Sequence, residues 1–182
     1  MNQTKNQTEG LLLRPVNWLT DQARIVQIEE ASFAHPWSID KFELFRSYGN
    51  SKGMVAVIGG RVVGYTLLEQ KMTWCHVAHI AVDPQYQKLG IGRLMIGAAL
   101  ESNRCLTLNV RRTNHGALKL YRQLGFSLKR VIPAHYTDGE DAFVMQCGQK
   151  KAPAKSYALK QLLLKAFNKG QESNFITAPI FR

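Results

Sequence analysis

The sequence predicts an α/β protein whose core is a single mixed sheet, and three observations lead there. Gly59-Gly60 sits between two apolar runs, Met54 to Ile58 and Val62 to Leu68, the pattern of a hairpin joining antiparallel strands. From Thr73 onward, strand-like and helix-like segments alternate: Thr73 to Val82, Gly92 to about Asn103, Leu106 to Val110, Asn114 to Leu124, Phe126 to Val131 and Ala142 to Cys147. The first strand-to-helix junction of that series is a glycine-rich loop, Gln87-Lys88-Leu89-Gly90-Ile91-Gly92-Arg93. A chain of 182 residues, 45% of them apolar, is the size of one domain with a substantial core, and no internal repeat is visible.

Taken in order, residues 1–10 are rich in Asn, Gln and Thr and are expected to be disordered, with no hydrophobic signal core. Leu11-Leu12-Leu13-Arg14-Pro15 reads as a first strand ended by its proline. Asp21 is suited to cap a helix over about Gln22 to Phe33, in which Ile25, Ile28 and Glu29 fall on successive turns. His35-Pro36-Trp37-Ser38 breaks that helix, and Ser38 is an N-cap for a second one, Ile39 to about Arg46. Tyr48-Gly49-Asn50 is a loop. Leu106 to Val110 alternates apolar with polar residues, as a half-buried strand does. Gly125 stops the Asn114–Leu124 helix, and a loop holding Pro133 and Asp138-Gly139 separates the last two strands. These elements define a domain over residues 11–148.

The glycine loop is where chemistry enters. Gly90 and Gly92 lack a β-carbon, so a ligand can approach the backbone closely. The N–H groups of a helix's first turn have no partner within the helix, and with the helix dipole they form a seat for phosphate. Two glycines one residue apart also occur in plain strand-to-helix turns. The spacing is neither the three-glycine dinucleotide fingerprint nor a P-loop, since no Gly-Lys-Ser/Thr follows.

With Ile80-Ala81-Val82-Asp83-Pro84 before it and Gly92-Arg93-Leu94-Met95 after it, Gln87-x-x-Gly90-x-Gly92 resembles the hallmark of the GNAT superfamily of acetyl-CoA-dependent N-acetyltransferases. Pro36-Trp37-Ser38, Leu108 to Asn114, Leu120-Tyr121-Arg122-Gln123-Leu124-Gly125-Phe126, and Tyr136 with Gly139-Glu140-Asp141-Ala142 extend the likeness over about Leu11 to Gln146. Together they resemble the bacterial RimI-like branch, which acetylates the N-terminal alanine of ribosomal protein S18. The resemblance implies the GNAT fold: a twisted, mostly antiparallel mixed sheet of about six to seven strands flanked by helices. It implies acetyl-CoA as co-substrate along Ile80, Ala81 and Val82, where a splayed strand end pairs with the pantetheine arm. Lys88, Leu89, Gly90, Ile91, Gly92 and Arg93 would then hold the pyrophosphate, and Asn114, also an ordinary helix N-cap, would contact the cofactor.

The same resemblance makes Tyr121 the general acid. An amine attacks the thioester directly, and the leaving sulfur, with a thiol pKa near ~8.5, benefits from a proton donor. Otherwise Tyr121 is a half-buried aromatic on a helix. One departure matters: the branch has a glutamate base where this chain has Asn109, and asparagine takes no proton at neutral pH. An α-amino group, with a pKa around ~7.7–8.0, needs less help than a lysine near ~10.4, so an N-terminal amine fits better than a lysine side chain. His76 and His79, on the strand feeding the loop and expected on opposite faces, are candidates for the base or a water relay. Glu29, Glu30 and His35 are further candidates. Trp37 and Tyr136 would line the acceptor's entry.

Composition bounds the partners. Lys and Arg number 24 against 13 Asp and Glu, a net charge of +11, which favours acidic surroundings such as ribosomal RNA and disfavours polycationic substrates. Residues 149–182 carry seven basic residues against Glu172 alone, and Leu159, Leu162, Leu163, Ala166 and Phe167 fall at helical spacing. This basic C-terminal extension is expected to hold an amphipathic helix that packs on the domain, docks on RNA or lipid, or pairs with another chain. Cys75, Cys105 and Cys147 form no Cys-x-x-Cys pair, so no metal is expected, and their odd number reads as reduced thiols of a cytoplasmic protein. No apolar run approaches membrane-spanning length. A monomer or weak dimer is expected. The leading function is N-terminal acetylation of an Ala-starting, S18-like ribosomal protein. Small-amine or polyamine acetylation, coenzyme A binding without turnover, and RNA binding through the tail are the other readings.

Overall fold

The computed structural model describes residues 10–148. Most of the expected N-terminal disorder and the whole basic extension lie outside the described residues. The elements run β1 (Leu12–Pro15), α1 (Trp18–Ser32), α2 (Ile39–Ser47), β2 (Ser51–Ile58), β3 (Arg61–Gln70), β4 (Cys75–Val82), α3 (Ile91–Ser102), β5 (Cys105–Arg111), α4 (His115–Gln123), β6 (Ser127–Ile132) and β7 (Ala142–Gly148), with a 3₁₀ turn at Pro84–Tyr86. The seven strands form one sheet in the order β1-β2-β3-β4-β5-β7-β6. Every neighbouring pair is antiparallel except β4 and β5. The mostly antiparallel mixed sheet is therefore present, with seven strands.

Local chemistry explains most boundaries. Gly59 and Gly60 have φ of 55° and 80°, the conformation a two-residue hairpin needs, and Ile58 pairs with Arg61 across them. Ser38 caps α2 by accepting from the Lys41 N–H, and Gly125 leaves α4 at φ 89°. The start of α1 differs from expectation. Asn17 is its cap, accepting from Leu19 N–H at 3.1 Å. Asp21 is buried instead, receiving two hydrogen bonds from Arg14 at 2.6 and 2.8 Å and one from Asn17 N–H at 2.8 Å. The Arg14 guanidinium holds the Asp21 carboxyl below the usual carboxylate range despite burial.

The sheet is covered unevenly. On one face, α1 and α2 bury Ile25, Ile28, Phe42 and Phe45 against Val55, Val57, Tyr65, Leu67 and Ala81. On the other, α3 packs Ile91 and Met95 against Met54, Ala56 and Val63. Further along that second face, Ile96, Ala99, Leu118 and Tyr121 pack against Val77, Leu106, Leu108, Val110 and Met145. The central strands are thus buried on both sides, which explains the unbroken buried runs in β2 and β3. Thr107 and Asn109, on the reverse of β5, line an open cavity instead of a helix.

Candidate active site

Strands β4 and β5 are parallel partners only over Cys75–Leu106, His76–Thr107 and Val77–Leu108. Beyond Val77, β4 stays with β3, pairing Ile80, Ala81 and Val82 with Thr66, Tyr65 and Gly64. Beyond Leu108, β5 stays with β7, pairing Asn109, Val110 and Arg111 with Val144, Phe143 and Ala142. The two strands fork, and each exposes backbone donors and acceptors to the gap.

The glycine loop closes the fork's open end. Asp83 accepts from Gln85 N–H at 3.0 Å and is ion-paired with Arg24, whose Nε donates to Val62 O at 3.1 Å. The chain then enters α3 through Lys88 at φ 61° and Gly90 at φ 85°. Gly90 is needed there because a side chain is strained in that region. The first helical bond runs from Leu94 N–H to Gly90 O at 3.0 Å, so the N–H groups of Ile91, Gly92 and Arg93 precede the helical ladder. A β-carbon on Gly92 would lie 3.8 Å from Leu120 and 3.9 Å from Val82, so its absence leaves room above the loop and is not demanded by packing. Arg93 reaches Gln123 on α4. Asn114 caps α4, accepting from Ala117 N–H at 3.0 Å.

Tyr121 is carried by α4 to the α3 side of the fork. Its ring is buried against Phe126, 5.6 Å between centroids. Burial, and secondarily Tyr136, pushes its hydroxyl pKa up to about 12, so the group stays protonated at neutral pH.

The opposite side of the fork holds His76. Its Nδ1 lies 3.0 Å from Thr107 Oγ1, and the two residues line a cavity of about 540 Å³ with Asn109, Trp74, Glu69, Lys71, Lys129, Arg130, Val144 and Gln146. Burial lowers the His76 pKa; Glu69 opposes this, while Lys71 and His135 add to it. The expectation that His76 and His79 face opposite ways fails. Leu67 pairs with His79 and Leu68 with Val77, so Ala78 is an extra residue in a β-bulge, and the two-residue alternation slips by one. Both histidines therefore lie on the α1/α2 face, but in different surroundings.

His79 belongs to a buried network. Its Nε2 lies 2.9 Å from each oxygen of Glu29, which also accepts from Trp37 N–H at 2.8 Å and from the Tyr65 hydroxyl. Trp37 stacks on the imidazole with centroids 4.4 Å apart, and Phe33 lies 4.8 Å away. Burial would raise the Glu29 pKa, but the His79 hydrogen bond and charge, the Tyr65 hydroxyl and the Trp37 N–H together hold it below its ordinary value. Glu30 and His35, the other candidates near this turn, are exposed.

Tyr136 sits on the loop between β6 and β7, with the Arg111 guanidinium 3.9 Å from its ring centroid. Arg111 also pairs with Asp138 at 2.8 Å and Glu140 at 2.7 Å, and Glu140 accepts from Thr113 N–H and Oγ1 at 2.8 and 2.7 Å. The sequence reading passed over this clamp and over Thr107, Tyr65, Lys129 and Arg130. Its one local trace is the acidic Asp138-Gly139-Glu140-Asp141 run opposite the basic Arg111-Arg112 pair. Among the described residues, no group of His, Cys, Asp and Glu is placed to hold a metal ion, and no helix is long and apolar enough to cross a membrane.

Comparison with known proteins agrees with this geometry. The sequence profile of the acetyltransferase (GNAT) family matches residues 23–126. An N-alpha-acetyltransferase of Sulfurisphaera tokodaii is 33% identical over 146 residues, covering 70% of this chain and 87% of the relative. The ribosomal protein bS18-alanine N-acetyltransferase of Escherichia coli is 29% identical over 139 residues, covering 69% and 90%. The crystal structure of the ribosomal-protein-S18-alanine N-acetyltransferase from Escherichia coli superposes with a TM-score of 0.71 at 26% identity, covering 79% of this chain and 96% of that one. A forked β4–β5 pair, a glycine loop opening α3 and a profile match over more than half the chain lead to one conclusion: this chain belongs to the GNAT family of acetyltransferases.

Proposed function

We propose that the protein transfers an acetyl group from acetyl-CoA to the α-amine at a protein N-terminus, with an alanine-starting ribosomal protein of the S18 kind as the favoured acceptor. The observation that carries this reading is the fork, which has the unladdered N–H groups of Ile91, Gly92 and Arg93 and Tyr121 on one side and a polar cavity lined by His76 and Asn109 on the other. Acetyl-CoA supplies the activated thioester. Backbone groups of Ile80, Ala81 and Val82 pair with its amide-bearing arm, Lys88 through Arg93 hold its pyrophosphate, and Asn114 adds a contact at the head of α4. The Tyr121 hydroxyl, protonated at neutral pH, donates to the departing sulfur.

His76 takes the role that Asn109 cannot. Its burial favours the neutral imidazole, a proton acceptor at pH 7, and it shares the cavity with Asn109, which orients the amine or a water. His79 serves the acceptor's wall instead, since Glu29 and Trp37 engage its ring. Trp37 and Tyr136 flank the entry. A polyamine acceptor is disfavoured because Lys71, Lys129 and Arg130 outnumber Glu69 in the cavity lining. A cytoplasmic site near ribosomal RNA suits the net charge of +11.

The test is incubation with acetyl-CoA and peptides that differ in their first residue, following free thiol release. Ala-starting peptides are expected to be acetylated, with activity lost in Tyr121→Phe. Tight coenzyme A binding without thiol release from any peptide would overturn the reading.

A further inference from the structure

We infer that Lys129 and Arg130 form a subsite for a carboxylate carried by the first few residues of the acceptor peptide, an inference that rests on the N-terminal acetyltransferase reading. The sequence alone places these two neighbours on opposite faces of a strand. The structure does not. Leu128 pairs with Met145 and Arg130 with Val144, so Lys129 is an extra residue in a β-bulge of β6, and both residues line the same cavity. That cavity is continuous with the acceptor end of the fork, because His76 and Asn109 line it too. An extended peptide advances about 3.3 Å per residue, so an amine held near His76 and Asn109 places its second to fourth residues over the remaining lining.

The charges there are unbalanced. Lys71 is paired with Glu69 at 2.8 Å. Of the three acids on the neighbouring loop, Asp138 and Glu140 are taken by Arg111 and Asp141 lies 3.6 Å from Arg112. Among the described residues, no carboxylate lies within ion-pair distance of Lys129 or Arg130. Both side chains are exposed, so they meet an incoming anion with little desolvation cost. Trp74, 37% exposed and edge-on to His76 at 6.2 Å, walls the cavity beside them.

The experiment compares three peptides that share an N-terminal alanine and differ at positions two to four, carrying aspartates, serines or lysines. Wild type is expected to favour the aspartate peptide over the lysine peptide about fivefold or more in kcat/KM, mainly through KM, since two exposed ion pairs supply that order of discrimination. Raising the ionic strength should shrink the ratio. Lys129→Gln with Arg130→Gln should bring it near one, and Lys129→Glu with Arg130→Glu should invert it. Thermal unfolding of both double variants checks that the fold persists. Equal use of the three peptides by wild type, or an acid preference that survives charge reversal, overturns the subsite while leaving the acetyltransferase reading intact. Acetylation of a small amine with none of the peptides overturns both.

Discussion

The Nε2 atom of His79 lies 2.9 Å from each carboxylate oxygen of Glu29, a residue wholly buried between α1 and the sheet. The same carboxylate gathers the Trp37 N–H and the Tyr65 hydroxyl, so one side chain fixes the α1–α2 turn, the β3 surface and the bend in β4. Glu29→Ala strands these donors in the core and is expected to cost about 3–5 kcal/mol, read by urea unfolding at pH 7. The carboxyl is held below its ordinary pKa in the folded state, so its contribution is present above the unfolded value near ~4.3 and fades as pH falls through the lower folded value. The stability gap between wild type and Glu29→Gln should therefore narrow in acid, which unfolding at pH 7 and at low pH measures.

His76 should behave as a base with a depressed pKa. Wild-type kcat/KM is expected to fall on an acid limb below the ordinary histidine value, because burial disfavours the charged ring. His76→Ala should lower kcat/KM about 10²-fold near pH 7. The deficit should shrink toward pH 9, where an α-amine of pKa ~7.7–8.0 is already neutral. Asn109→Glu places a carboxylate in the same cavity, stabilises the imidazolium and should move the acid limb upward. A pH–rate series on the three proteins reads all of these effects.

Tyr121→Phe keeps the buried ring and removes only the hydroxyl. We expect kcat to drop about 10²-fold with the KM for acetyl-CoA little changed. With the hydroxyl pKa near 12, wild type should show no basic limb from this group up to pH 10.

Much of this architecture was legible because its signals are local. Gly59-Gly60, Ser38, Asn114 and Gly125 each do what their side chain, or lack of one, requires within a few residues. Where two local signals competed, distance decided. Asn17 and Asp21 are both capping residue types, and Arg14 on β1 withdrew Asp21 from that role. The bulges of β4 and β6 were illegible for a related reason. Nothing in Val77-Ala78-His79 or Leu128-Lys129-Arg130 marks an extra residue, and the slip is set by pairing with β3 and β7. Each slip changes which side chains meet, so the neighbourhoods of His76 and Arg130 emerged only with the sheet assembled.

The Arg111 clamp offers a separate test. Its ion pairs are part-exposed and should add little to global stability, but they fix Arg111 against the Tyr136 ring, which the proposed function puts at the acceptor entry. Arg111→Gln should raise KM for a peptide severalfold while shifting the KM for acetyl-CoA and the unfolding midpoint little. Steady-state kinetics with each substrate varied in turn checks this.

The short partnership of β4 and β5 has a consequence that reaches past chemistry. Amide protons along Ala78–Val82 that point into the gap have no strand across from them. In the free protein they should trade with deuterated solvent in seconds to minutes, while their neighbours bonded to β3 stay guarded. Loading with coenzyme A should slow those same few protons selectively. Deuterium uptake over one short peptide would then report occupancy of the groove with no acceptor present.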